Sequence, residues 1–243
     1  MLKSKLTFYF LYLLHYLPTY GQVESVGNQT FTFIKDSSAI SLPIFCNMNL
    51  NHTNDELENA IIVIHGMTRN AYDYFESVNS INSELGLDNR SIIIAPQFLI
   101  NIDMGPWNLD STIAFWSGTS SWLSGNLSNS TEQAPRNFEV SSFTIIDSLI
   151  HYLVSNFVNI ERVTLVGNSA GGQLVNRYAA GSGMDYNHLV DYVVAAPSSF
   201  VYLDENRYDS PFPFSWNTPS VCPSYNDYKY GLDYKNLQKK WFF

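Results

Sequence analysis

Four short apolar segments, spaced by stretches of helical periodicity, constrain this chain more than any other feature. They are residues 60–65 (AIIVIH), 91–95 (SIIIA), 163–167 (VTLVG) and 189–195 (LVDYVVA). A strand with one face in water alternates apolar and polar residues. The first three runs do not alternate, as expected for strands covered on both faces. Residues 70–85 place Tyr74, Phe75, Val78, Ile81 and Leu85 at helical spacing. Residues 138–158 do the same with Phe143, Ile146, Leu149, Ile150, Leu153 and Phe157, and a further helix is expected over 170–180. Strand and helix therefore alternate, which predicts an α/β fold with a mostly parallel, doubly wound sheet. Two strands are expected ahead of it, at 30–34 and 40–45, joined by a polar turn at 35–38.

Residues 1–21 read as a secretory signal. Lys3 and Lys5 precede an apolar run over 6–17, Pro18 ends it, and Thr19 and Gly21 are small residues suited to cleavage before Gln22. A spanning helix needs about 20 apolar residues, so a stable membrane anchor is the weaker reading, as is a buried helix. Asn-x-Ser/Thr sequons at Asn28, Asn51, Asn89, Asn126 and Asn129 avoid the apolar strands, which suits glycosylated loops on a secreted protein. In an oxidising compartment Cys46 and Cys222 allow one internal bridge, a candidate disulfide. Residues 22–243 form one domain. Its last part, 197–243, holds five of the ten prolines and reads as an irregular, lid-like surface segment.

The net charge is −9 and the basic residues are scattered, so no nucleic-acid partner is expected. No histidine pair has metal-ligand spacing and no phosphate-binding glycine loop is present, so neither a metal nor a cofactor is expected. The long stretch 97–135 carries Trp107, Trp116 and Trp122, which either line a cleft or pack the loop.

The sharpest chemical feature is Gly167-Asn168-Ser169-Ala170-Gly171, set between VTLVG and a helix. A turn that tight forces the serine into a strained conformation, and the glycines let neighbouring backbone pass. The hydroxyl is then presented at a helix N-terminus, where partial positive charge favours an anion. About one hundred residues earlier, AIIVIH runs into His65-Gly66-Met67. An acyl-transfer serine enzyme needs two N–H donors for its oxyanion. Ala170 and Met67 are placed to supply them, with Ser169 as the nucleophile.

These features together resemble the α/β-hydrolase family. The resemblance covers residues 31–199. The wording HGMTRNAYDYF, GNSAGGQLVNRYA and VVAAPSSFVYL looks like a group of secreted, poorly characterised hydrolases within that family. It implies cleavage of an ester or amide through a seryl intermediate, with a small-molecule or polymer ester as the expected substrate. It also implies an acid and then a histidine after the serine. Only His188 follows Ser169, and it precedes a strand, at the opposite end of the sheet. His52 and His151 are also badly placed, and His65 is expected to support the oxyanion loop. Asp204 follows the fourth strand as a candidate acid. Against the family pattern the chain looks cut short, without the sheet's last strands. Two readings stay open: a secreted serine esterase, or a catalytically silent fragment or binding protein with the same fold. Oligomeric state is open as well.

Overall fold

The computed structural model describes residues 21–52, 54–118, 122–182, 184–209 and 215–231. The proposed signal segment, apart from Gly21, lies outside them. Six strands form one sheet in the order β1-β2-β4-β3-β5-β6. They are β1 (Gln29–Lys35), β2 (Ser38–Cys46), β3 (Asn59–Ile64), β4 (Ser91–Pro96), β5 (Arg162–Asn168) and β6 (Val190–Ala195). β1 and β2 are a hairpin, and β2 lies antiparallel on β4. Asp36 and Ser37 both take positive φ, 49° and 65°, as a two-residue primed turn requires. From β4 through β3 and β5 to β6 the sheet is parallel.

Three helices supply the cover: α1 (Ala71–Glu84), α2 (Ser142–Asn156) and α3 (Ala170–Gly181). α1 sets Ala71 and Phe75 against Val63, Ile93 and Ala95 on one face. On the other face α2 and α3 set Ile146, Leu149, Leu153, Leu174 and Tyr178 against Ile62, Ile64, Ile92, Ile94 and Leu165. The missing alternation now has its cause, because every residue of β4 is buried. Each fully buried Ile there contributes about 1.5–3 kcal/mol. β6 pairs only with β5 among the described residues, and Val193 is 46% exposed. Among the described residues no helix is long and apolar enough to cross a membrane.

Some boundaries differ from the sequence pattern. α2 begins at Ser142 rather than 138, because the Ser141 hydroxyl caps it by accepting from the Phe143 amide at 3.1 Å. Residues before it are held instead by the 126–128 segment, with the Ser128 amide donating to the Val140 carbonyl at 2.7 Å. Asn70 precedes α1, but its carboxamide bonds Thr68 and Asp73 rather than the helix backbone. The terminal segment is largely irregular, as expected, with two three-residue strands, β7 (Arg207–Asp209) and β8 (Ser215–Asn217).

The Cys46–Cys222 bridge is not formed, and both thiols are free. Cys46 lies in β2 opposite Ile94, inside the core, whereas Cys222 is exposed. Burial pushes the Cys46 thiol up to about 11. A bridge needs Cα atoms within about 7 Å, and a walled-in core residue cannot meet one on the surface without unpacking β2. Of the sequons, Asn28, Asn51 and Asn89 are exposed, and Asn126 and Asn129 are half-buried.

Candidate active site

The parallel register brings two turns to the same edge of the sheet. Ile64, the last residue of β3, pairs with Gly167 of β5, and Asn168 pairs with Ala195 of β6. The His65 turn and the Ser169 turn therefore leave adjacent strands side by side. Ser169 has φ 56° and ψ −116°, a strained backbone for a residue with a Cβ, costing on the order of 1–3 kcal/mol. Its side chain is exposed, while Gly167 and Ala170 on either side of the bend are buried.

Close packing explains the glycines. A Cβ on Gly171 would lie 2.3 Å from the Ile64 carbonyl oxygen and 2.7 Å from that of His65. One on Gly167 would lie 2.4 Å from the Gly171 carbonyl, and one on Gly172 2.4 Å from the Ala195 oxygen. α3 thus starts in contact with the ends of both β3 and β6. The Ser169 amide donates to the Ala195 carbonyl at 3.0 Å, which fixes the bend from the β6 side. Among the described residues, the amides of Met67 and Ala170 enter no hydrogen bond, and Met67 is half-buried against the core.

His65 is fully buried and has both ring nitrogens engaged. Nε2 accepts from the Phe98 amide at 2.9 Å, so Nδ1 carries the proton and donates to the Gly66 carbonyl at 2.8 Å. Burial lowers its pKa to about 4, with the Gly66 bond opposing. A neutral ring with no free lone pair is a brace, not a base. Trp122 packs edge-on against it, with centroids 4.8 Å apart, and stacks on Phe98 at 5.3 Å. Trp122 and Trp116 are wholly buried, so of the three tryptophans only Trp107 reaches the surface.

The turn has a second anchor that the sequence reading missed. Arg69, at φ 61°, is buried and forks onto Asp103, with Nε at 2.8 Å from Oδ2 and Nη2 at 3.1 Å from Oδ1. The same guanidinium reaches the Met67 carbonyl at 3.3 Å and the Gly21 carbonyl at 2.8 Å. Asp103 also accepts from the amides of Val23 and Ile100. Gln97 joins in, donating to the carbonyls of Arg69 and Ser25 and accepting from the Gly27 amide. A signal was available: Asp103 is the only charged residue from 91 to 109, in a stretch otherwise too apolar for a loop.

The remaining histidines among the described residues lie elsewhere. His188 sits in a short turn before β6 and touches the Asp185 carbonyl, at the end of the sheet opposite Ser169. Six residues of strand separate those ends, or roughly 20 Å. His151 is on α2 beside Tyr186, and His52 is exposed ahead of β3. Asp204 is exposed and accepts from the Asn206 amide in its own turn. None of them reaches the serine.

The parallel crossovers from β4 through β3 and β5 to β6, with a serine bend between β5 and α3, are the α/β arrangement the sequence predicted. No family model and no curated protein matches the sequence. Among solved structures the chain is similar to poly(aspartic acid) hydrolase-1 of Sphingomonas sp. KT-1, at 20% identity and TM-score 0.40, over 72% of this chain and 55% of that one. It is similar to a poly(3-hydroxybutyrate) depolymerase of Bordetella parapertussis at 18% identity and TM-score 0.41, over 78% and 57%. A siderophore hydrolase of Aspergillus nidulans follows at 14% and 0.40, over 70% and 57%. The chain spans a little over half the length of these three proteins. At this distance the likeness carries no conclusion about activity or substrate.

Proposed function

We propose that this chain is built for hydrolysis of a carboxylic ester, of a small molecule or a polymer, through an acyl-Ser169 intermediate. The reading rests on one observation above the rest: an exposed serine held at φ 56° on a bend whose flanking glycines have no room for a Cβ. A protein keeps strain of that kind where function requires it. In the proposed step the Ser169 hydroxyl oxygen attacks the ester carbonyl carbon and its proton passes to a general base, a group that no described residue provides and that later returns the proton to the leaving alkoxide. The carbonyl oxygen, now anionic, takes hydrogen bonds from the amides of Met67 and Ala170. The N-terminus of α3 adds its partial positive charge. The alkoxide leaves with a proton, and water then releases the acid. Secretion and glycosylation at the five sequons belong to the same proposal.

A second reading has its own support. No histidine among the described residues reaches Ser169, and an unactivated serine is a weak nucleophile. On that reading the chain keeps the fold and the bend without turnover. A fluorophosphonate probe separates the two. Labelling of the folded protein that vanishes in Ser169→Ala supports the hydrolase. Absence of labelling at millimolar probe, with native circular dichroism retained, removes it.

A further inference from the structure

Outside the turn network, a costly buried group is Arg177 on α3. It is 1% exposed and has no carboxylate beside it among the described residues. A buried charge without an ionic partner is costly and is kept only where neutral acceptors surround it. Here they come from three separate segments. Nη1 donates to the Leu123 carbonyl at 3.0 Å and meets the Ser124 hydroxyl at 3.4 Å. Nη2 donates to Gln173 Oε1 at 3.1 Å and to the Ser199 hydroxyl at 2.8 Å. Gln173 passes the connection on, its Nε2 donating to the Ser198 hydroxyl at 2.7 Å while the Ser199 hydroxyl donates to its Oε1. Tyr228, from the terminal segment, donates to the Ser124 carbonyl at 2.7 Å. Nε has no partner among the described residues.

The two segments that Arg177 grips lead one to the Ser169 bend and the other to the His65 turn. Residues 198–199 follow the β6 end directly, past Ala196 at φ 41°, and the Ala195 carbonyl there holds the Ser169 amide. Residues 123–124 follow Trp122, whose indole packs on the His65 ring that fixes the Gly66 carbonyl. Neither segment has a strand or a long helix to hold it. Both are attached to α3, the helix that begins at the bend. Ser169, Gln173 and Arg177 are four residues apart and share one face of it.

From this arrangement we infer that Arg177 is a positioning residue. One guanidinium clamps the post-β6 segment and the Trp122 segment to the nucleophile helix, and so sets the Ser169 bend and the His65 turn relative to each other. This deepens the reading above, since it assigns a function to a group that touches no substrate. A hydroxyl or amide in its place has too few donors to reach both sides, and a lysine lacks the planar fork.

The test is native-state amide hydrogen exchange, which needs no catalytic activity. The reporters are the Ser169 amide, bonded to Ala195, and the Arg69 amide, bonded to the Gly66 carbonyl. The Leu165 amide, in the middle of β5, is the reference for the core. In Arg177→Met both reporters exchange at least tenfold faster while Leu165 stays within threefold of the wild type. In Ser199→Ala, which cuts only the post-β6 side, Ser169 speeds up and Arg69 does not. Where the wild type takes a fluorophosphonate, labelling in Arg177→Met slows by the same order. Equal acceleration at all three amides, or none, in these variants overturns the inference. A wild type that refuses the probe overturns the hydrolase reading alone, and the exchange result still decides the role of Arg177.

Discussion

Gly171→Ala tests the contact on which the site depends. Within a helix, alanine in place of glycine ordinarily gains up to about 1 kcal/mol. Gly171 is the second residue of α3, and a Cβ there meets the carbonyl oxygens of Ile64 and His65 at 2.3 Å and 2.7 Å. Non-bonded heavy atoms settle near 3.5 Å, so the end of β3 must retreat by roughly 1 Å. Those oxygens belong to the backbone at the end of a central strand and the start of its turn, and cannot rotate away as a side chain would. Overpacking of this kind costs about 1–3 kcal/mol, and the helix gain offsets only part of it. The expected net loss is about 1–2 kcal/mol. For a chain of this size that lowers Tm by about 2–8 °C, at roughly 2–4 °C per kcal/mol. Scanning calorimetry of the two proteins at one pH gives the answer. A Tm that rises in the variant shows an ordinary helix glycine, and then the bend does not lie against the His65 turn.

Two further outcomes follow from the buried groups. His65 stays neutral in the fold down to about 4, whereas in the unfolded chain it binds a proton near 6.5; its stabilising contribution is therefore present above pH 6.5 and lost as pH falls through 4. The loss reaches about 3 kcal/mol by that linkage, and urea titrations from pH 7 to 4 find this component in the wild type and miss it in His65→Gln. The cysteines part just as clearly. Under native conditions a thiol reagent modifies the exposed Cys222 and spares the buried Cys46, and both react in denaturant; failure of either to react in denaturant without reductant would restore the bridge.

The parallel sheet was legible because β4 is buried on both faces and β3 nearly so, which leaves no place for the polar residues that would alternate in a half-wet strand; β5 buries Val163, Leu165 and Gly167 on one face and leaves Thr164 and Val166 half-exposed on the other. Ser169 and the His65 turn were legible because a sharp bend between strand and helix admits few residue types. What held those turns in place was not. Arg69 and Asp103 stand 34 positions apart, and nothing local distinguishes a buried arginine from a solvated one. Arg177 sits amid helical periodicity, where a charge reads as the wet face. Its acceptors, Ser124 and Ser199, are on the far sides of two loops. The cysteine pairing went astray for a related reason. Two cysteines in a chain raise the prospect of a bridge, but only the sheet order shows that one of them is walled in.

The hydrogen bonds of residues 21–27 set an order of assembly. Val23 is bonded to Asp103 and Gly27 to Gln97, 80 and 70 positions downstream. This segment is thus fastened only once β4 and the loop after it have arrived. Until then Arg69 has no counter-ion and the Met67 backbone has no fixed course. The Met67 side of the candidate site is complete only when residue 103 is in place, and closing a loop of 80 residues is what locks the turn.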